Sequence, residues 1–149
     1  PVRFVMYYKI FQNPFLNFIF KTAKAIPIAG YKEDPELLEK AYQEISKELE
    51  AGHVVGIFPE GAITRDGELL QMKKGIEKIL EKNPVPVVPM ALRGLWGSFF
   101  SRKYGSAMQS FPRRFWSKIT LVVGKAIPAN EVTAEKLEAK VLELRGDEK

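Results

Sequence analysis

Residues 54–61 read VVGIFPEG, and this segment decides the predicted fold. Val54–Phe58 is a continuous apolar run of strand length, which is the pattern of a strand covered on both faces. Pro59 stops that strand because it has no N–H, Gly61 lets the backbone turn, and Glu60 places a carboxylate after the strand. Ligands of open α/β sheets bind beyond the carboxyl ends of the strands, so the loop that follows is the first candidate for a site.

The residues that follow include groups suited to a phosphate. Thr64 offers a hydroxyl, and Arg65, Lys73 and Lys74 offer cations shortly before the next predicted helix. Charged side chains and the N–H groups at a helix N-terminus both favour an anion. A strand-ending turn with solvated charges explains the same residues, so the motif alone leaves both interpretations open.

Strand-like and helix-like patterns alternate on both sides of this segment. Further strands are predicted at 2–8, 26–28, 85–92 and 118–124, the last two as buried inner strands. Helices are predicted at 9–25, 35–51, about 72–82 and 133–144. Asp34 can cap the second helix, Pro35 suits its first position and Gly52 can end it, while Thr133 can cap the last. One apolar stripe at helical spacing runs along the second helix and consists of Leu37, Leu38, Ala41, Tyr42, Ile45 and Leu49. The alternation predicts a single α/β domain over residues 1–149, with a mostly parallel sheet flanked by helices.

Composition excludes several classes of site. The 149 residues are 46% hydrophobic and 28% charged, as in a globular domain. The chain has no cysteine and one histidine, which excludes disulfide frameworks, thiol nucleophiles, zinc ribbons and His-rich metal sites. Its apolar runs are much shorter than the roughly 20 residues of a membrane-spanning helix.

The net charge of +5 is unevenly distributed. Residues 1–32 and 93–125 contain basic residues and most of the aromatic ones, but no acidic residue. This separation predicts a basic, aromatic face turned toward an anionic partner. A membrane surface and a nucleic acid both fit these ingredients, and many of the aromatic residues also fit a packed core.

Four blocks in order resemble one enzyme family. They are FPEG at 58–61, TRDGEL at 64–69, the basic pair and glycine at 73–75, and VPVVPMALRG at 85–94. Together they look like the glycerolipid acyltransferases, which include the 1-acylglycerol-3-phosphate acyltransferases. The spacing also resembles the acyltransferase domain of bacterial 2-acylglycerophosphoethanolamine acyltransferases. The resemblance covers residues 1–125 and implies a glycerolipid acyltransferase-like fold that lacks its first elements.

The resemblance also implies roles for particular residues. Glu60, Gly61 and Arg65 would line the site of the acceptor phosphate, with Thr64 and Lys73 as further candidates. Val88 and Pro89 would help to build the acyl-donor side, although an edge strand with rigid ends also explains the prolines of this segment. Because the substrates of the family are lipids, the expected membrane-interface residues are Arg93, Trp96, Phe99, Phe100, Arg102 and Lys103.

The implied reaction moves a fatty acyl group from a thioester, acyl-ACP or acyl-CoA, to a lysophospholipid such as 1-acylglycerol-3-phosphate or 2-acylglycerophosphoethanolamine. It needs no cofactor and no metal. The expected partners are an anionic membrane surface, the lysophospholipid, and an acyl carrier protein or coenzyme A thioester, with no nucleic acid. The expected location is the cytoplasmic face of the bacterial inner membrane, peripheral or tethered to a larger membrane protein. The alternative function is a non-catalytic module that binds anionic lipid or nucleic acid.

The sequence departs from the family pattern at the catalytic block. His-x-x-x-x-Asp supplies a general base and its orienting carboxylate, but the one histidine, His53, is followed five residues later by Phe58. We therefore expect the catalytic histidine and aspartate upstream of Pro1 and expect the chain alone to be inactive. His53 is predicted to be structural or solvent-facing, because it has no nearby sequence partner. Surfaces exposed by such a truncation could be covered in a homodimer. Ala62 and Ile63 also stand where relatives carry arginine.

Overall fold

The computed structural model describes residues 2–12, 14–62, 64, 66–96 and 118–147. They fall into two compact units. The N-terminal unit comprises the described residues of Pro1–Pro59 and Lys78–Val85, and the C-terminal unit those of Glu60–Glu77 and Pro86–Lys149. The prediction of one domain over 1–149 stays a prediction, and each unit is described by itself.

A parallel three-stranded sheet forms the N-terminal unit. Its strands are β1 (Val2–Tyr7), β2 (Ile26–Ile28) and β3 (Val54–Gly56), in the order β2-β1-β3. The register places Val5 beside Ile26 and Arg3 beside Val55. The expected α/β fold with a parallel sheet is confirmed, and Ile26–Ile28 is an edge strand, where Pro27 is tolerated.

Helix α2 (Pro35–Glu50) supplies the core of this unit. Asp34 accepts a hydrogen bond from Leu37 N–H at 2.9 Å, which is the predicted N-cap, and Pro35 occupies the first turn. The buried core consists of Val5, Ile26, Ala41, Ile45 and Ile79. Ile45 is 1% exposed, so the apolar stripe read from the sequence faces the sheet.

Two elements of the N-terminal unit differ from the predictions. The helix expected at 9–25 is a 3-10 turn (Tyr8–Gln12) followed by α1 (Pro14–Thr22), because proline suits the first helical turn better than the interior. The strand expected at Val54–Phe58 ends at Gly56, and Val54 and Phe58 are 62% and 59% exposed. The prediction of a strand covered on both faces is wrong at both ends of that segment, because these two side chains face solvent. Among the described residues β3 pairs on one side only, with β1.

An antiparallel strand pair and a helix form most of the C-terminal unit. Strand β4 (Met90–Arg93) pairs with β5 (Thr120–Val123), and α4 (Ala134–Arg145) packs on them. Thr133 Oγ1 caps α4 by accepting from Lys136 N–H at 3.2 Å, as predicted. Helix α3 (Gly75–Lys82) contributes residues to both units and begins three residues after the predicted start.

The strands predicted at 85–92 and 118–124 are not buried inner strands. Both are shorter, they run antiparallel, and one face of the pair is apolar and exposed, with Val88, Met90, Leu92, Leu121 and Val123. We call these five residues the apolar face. Pro86 and Pro89 have no N–H to donate, so regular pairing starts only at Met90 and Val87 forms an isolated bridge with Ile127. The edge-strand interpretation of this segment is therefore the correct one.

Candidate functional site

The candidate site is the loop at residues 60–74, here called the site loop. It lies in the C-terminal unit and leads into α3. Its described residues form neither helix nor strand. Its shape therefore depends on hydrogen bonds between side chains and backbone rather than on a ladder of backbone bonds.

Glu60 closes the site loop. Its Oε2 accepts a hydrogen bond from Leu70 N–H at 2.9 Å, ten residues along the chain. Burial raises the pKa of this half-buried carboxyl, while the Leu70 N–H and the charge of Arg145 act in the opposite direction and Glu138 adds to the rise. The predicted site residue Glu60 thus holds the two ends of residues 60–70 together through its hydrogen bond with Leu70 N–H, which we call the clasp.

Gly61 and Lys73 come together inside the closed loop. Gly61 has a φ of +67°, and a Cβ built on it would lie 2.6 Å from Lys73 Nζ and 3.0 Å from Lys73 Cε. Glycine is required here both by the positive φ and by the close approach of the lysine. Lys73 is exposed and forms no ion pair with the described part of the chain. The structure therefore brings one predicted cation to the glycine that follows Glu60.

Thr64 shapes the middle of the site loop. Its Oγ1 donates to Asp66 Oδ1 at 2.8 Å and accepts from Gly67 N–H at 3.1 Å. Asp66 Oδ1 also accepts from Glu68 N–H at 2.9 Å. A hydroxyl has a single proton to donate, and the carboxylate of Asp66 takes it. Thr64 lies in the predicted loop, but its hydroxyl bonds within the turn.

Two residues of α4 also hold the site loop, and the sequence analysis missed both. Glu138 Oε2 accepts from Met72 N–H at 2.9 Å. Arg145 Nη1 donates to Gly67 O at 3.0 Å, and its Nη2 lies 3.2 Å from Glu68 Oε2. These contacts join residues that are 66 to 78 positions apart, so no local pattern signals them.

Glu60→Gln is expected to change how stability depends on pH. The folded state raises the pKa of Glu60, so it binds that proton more tightly than the unfolded state, and stability is lost as the carboxyl ionises with rising pH. Glutamine keeps an oxygen that can accept from Leu70 N–H and does not ionise. The thermal midpoint of Glu60→Gln minus that of the wild type should therefore be larger at about pH 7 than at about pH 4.

Thermal unfolding followed by circular dichroism at the two pH values measures this difference. Glu50→Gln removes an exposed carboxylate at the end of α2 and serves as the matched control. If Glu60→Gln and wild type differ by the same amount at both pH values, the raised pKa of Glu60 is contradicted.

Arg93 and Trp96, two of the expected membrane-interface residues, make contacts within the C-terminal unit. Arg93 Nε and Nη2 donate to Leu144 O at 2.9 and 2.5 Å. Gly67 has a φ of +83°, and a Cβ built there would lie 2.7–2.9 Å from atoms of the Trp96 indole. Both side chains are partly buried, and their interface role stays a prediction. Arg65, a candidate for the acceptor site, lies outside the described residues. So do the other four predicted interface residues, which are Phe99, Phe100, Arg102 and Lys103.

Val88 and Pro89 differ in what they offer to a ligand. Val88 is exposed and belongs to the apolar face. Pro89 is buried, its carbonyl accepts from Gly124 N–H at 2.9 Å, and its ring packs on Gly124. Of these two predicted donor-side residues, only Val88 presents its side chain at the surface.

His53 has a partner that the sequence analysis overlooked. Its Nδ1 lies 2.6 Å from Glu48 Oε2, which also accepts from Arg3 Nε at 2.9 Å. The Arg3 guanidinium, followed by the His53 ring, lowers the pKa of Glu48. His53 comes directly before β3 in the sequence, whereas the site loop comes after β3. Within the described residues, no group of three His, Cys, Asp or Glu side chains could hold a metal ion.

Residues 1–93, more than half of the chain, match the family model described as Acyltransferase. The chain belongs to the acyltransferase family. The predicted resemblance to the glycerolipid acyltransferase family, based on the blocks at 58–94, is confirmed. The family match ends at Arg93, so α4 lies beyond it.

Similar proteins act in glycerolipid chemistry. The chain is 31% identical over 86 residues to the 1-acyl-sn-glycerol-3-phosphate acyltransferase of Bacillus subtilis; the match covers 58% of this chain and 40% of that protein. It is 30% identical over 92 residues to a chloroplast 1-acyl-sn-glycerol-3-phosphate acyltransferase of Brassica napus, 62% of this chain and 26% of that one. It is also 30% identical over 87 residues to an N-acylphosphatidylethanolamine synthase of Arabidopsis thaliana, 56% of this chain and 30% of that one. The matched stretch thus spans less than half of each relative.

A solved structure shares the fold. The 1-acyl-sn-glycerophosphate acyltransferase PlsC of Thermotoga maritima superposes with a TM-score of 0.62 at 19% identity, over 95% of this chain and 54% of that protein. The α/β acyltransferase fold is therefore confirmed. Among the described residues, no helix combines the length and apolarity needed to cross a bilayer.

Proposed function

We propose that this chain forms the acceptor-binding part of a glycerolipid acyltransferase that transfers a fatty acyl group from a thioester to the hydroxyl of a lysophospholipid. The observation that carries the proposal is the site loop, in which Glu60 closes onto Leu70 and Lys73 Nζ lies against Gly61. Two of the similar proteins are named for 1-acyl-sn-glycerol-3-phosphate, an acceptor that carries a phosphate.

The chemistry of the site loop supports a phosphate ligand. The ammonium of Lys73 is a compact charge with three donors, and a phosphate monoester carries charged oxygens that accept from it. Gly61 has no side chain to keep an anion away from the backbone. Thr64 shapes the loop through Asp66 and Gly67, and Arg65 adds a second cation according to the family resemblance.

The apolar face is the proposed binding surface for the acyl donor. Val88 lies on it together with Met90 and Leu92 of β4. Exposed apolar side chains in one continuous patch mark sites for apolar ligands or partners. The donor would be an acyl-ACP or acyl-CoA thioester, and no metal or other cofactor takes part.

The general base of the reaction would come from outside residues 1–149. The sequence contains no His-x-x-x-x-Asp, and His53 is paired with Glu48. The chain alone would therefore bind the acceptor without catalysing transfer. Because a lysophospholipid resides in a bilayer, the site of action would be an anionic membrane surface, in a bacterium the cytoplasmic face of the inner membrane.

Lys73→Glu is expected to weaken binding of glycerol 3-phosphate at least tenfold, about 1.4 kcal/mol, because it replaces attraction with repulsion at Gly61. Isothermal titration with glycerol 3-phosphate measures this, and inorganic phosphate as a second probe separates headgroup recognition from phosphate binding alone. Lys82→Glu makes the same charge change at an exposed position of α3 and serves as the control. Equal affinities for Lys73→Glu and wild type would remove Lys73 from the acceptor site.

An acyl-transfer assay tests the whole proposal. This chain and a version extended upstream by about 40 residues, which is long enough for one strand-helix unit, would receive lysophospholipid and acyl thioester. We expect phospholipid product, detected by mass spectrometry, from the extended version only. Product from the short chain would mean that its own groups perform the proton transfer. Inactivity of both, with binding to anionic vesicles, would favour the non-catalytic lipid-binding module.

A further inference from the structure

Helix α4 contacts the site loop at two separate places. Glu138 accepts from the backbone N–H of Met72, the buried residue directly before Lys73. Arg145 donates to Gly67 O and lies against Glu68, at the turn in the middle of the loop. Its planar guanidinium has several donors in a fixed fork, so it can hold a backbone carbonyl and a carboxylate of one turn at the same time.

Helix α4 is itself fixed at both ends. At its start, Glu77 Oε1 accepts from Ala134 N–H at 2.8 Å, while Thr133 caps the first turn. At its end, Arg93 donates twice to Leu144 O. Ala134 and Leu137 are buried along its length. A helix anchored at both ends and packed in between can hold a loop in one position.

We propose that α4 positions the site loop. Glu138 binds the backbone N–H of Met72 and so fixes the position of the next residue, Lys73, which sets the affinity for the acceptor phosphate. This inference rests on the proposed function of the loop. Glu138 and Arg145 bind the site loop at Met72 and at Gly67 and Glu68, on either side of Leu70, whose N–H donates to Glu60. The family match ends before α4, so it assigns no role to either residue.

The positioning mechanism follows from the lack of regular structure in the loop. A loop without a backbone ladder takes its conformation from side-chain bonds to its N–H and C=O groups. Glu60 supplies one such bond from within the loop, and Glu138 and Arg145 supply bonds from α4. When the Glu138 bond is lost, Met72 N–H loses this acceptor and the segment that carries Lys73 samples other positions. Glu138 therefore acts as a positioning residue, with no contact to the ligand required.

Amide hydrogen exchange combined with ligand titration tests this inference on the chain as it is. We expect Glu138→Ala to speed exchange at Met72 N–H at least tenfold and to weaken glycerol 3-phosphate binding at least threefold. Glu138→Gln keeps an accepting oxygen without the charge and should restore both properties to near wild-type values, as expected if the oxygen that accepts from Met72 N–H, and not the charge of the carboxylate, holds the loop. Glu143→Ala, on the exposed side of the same helix, is the matched control and should change neither.

The outcomes separate this inference from the proposed function. Wild-type exchange and wild-type affinity in Glu138→Ala would overturn the inference while leaving the proposed function intact. Faster exchange with unchanged affinity would overturn the claim that α4 sets the affinity. If the wild-type chain binds no glycerol 3-phosphate, the proposed function and the affinity claim both fail, and exchange at Met72 still decides whether α4 holds the loop.

Discussion

Glu60→Ala is expected to cut acyl transfer by the intact enzyme at least tenfold, which corresponds to about 1.4 kcal/mol of transition-state stabilisation. Alanine removes the acceptor of the Leu70 N–H bond and with it the clasp that closes residues 60–70. The glycerol-phosphate end of the acceptor would then meet a loop in which Gly61 and Lys73 are no longer held together. Steady-state kinetics with varied lysophospholipid measure the loss.

Glu60→Gln distinguishes a clasp from a charge that acts directly. The amide oxygen can still accept from Leu70 N–H, so we expect this variant to retain most of the activity. Glu50→Ala, an exposed position on α2, should have wild-type activity. Wild-type turnover in Glu60→Ala would remove Glu60 from the site, and equal losses in the alanine and glutamine variants would contradict the clasp. From the family resemblance, Arg65→Ala is expected to cost at least tenfold as well.

Ile45→Ala is expected to lower the free energy of unfolding by about 2–5 kcal/mol, because the lost methyl and methylene groups leave a cavity at the centre of the N-terminal core. Ile45 is 1% exposed and belongs to the buried cluster with Val5, Ile26, Ala41 and Ile79. Urea unfolding at equilibrium measures the change from the midpoint and the slope.

Ile19→Ala is the matched control, since it removes the same groups from a helix position that is 46% exposed. A surface change of this kind usually alters stability by no more than about 0.5 kcal/mol. Comparable losses in the two variants would contradict the placement of the core between α2 and the sheet.

The elements predicted best are those whose signals are local. Helix α2 has its cap at Asp34, a proline in the first turn, an apolar stripe with the helical period and Gly52 beyond its end, and all of these were read from the sequence. The cap of α4 at Thr133 was found in the same way. Such signals involve residues within a few positions of each other, so a single sequence displays them completely.

The sequence indicated where the strands lie but not which segments pair with them or cover their faces. The apolar runs at 54–58, 85–92 and 118–124 each contain a strand, yet the first was predicted to be covered on both faces and the other two to be buried inner strands. β3 is an edge strand, and β4 and β5 run antiparallel with one exposed face. An apolar run reports which side chains avoid water, whereas pairing direction and the number of covered faces depend on segments far along the chain.

The sequence alone was enough to predict the family and the α/β class and to single out residues 60–74 as the candidate site loop, because the blocks around Glu60 and Gly61 and the local helix signals are contiguous. It also placed Lys73 among the candidate ligands. Only the tertiary structure showed that Lys73 lies on Gly61, that Glu48 partners His53, and that Glu138 and Arg145 of α4 hold the site loop. The contacts of α4 bridge 66 to 78 residues, and the direction in which each side chain points is set by packing that no local pattern encodes.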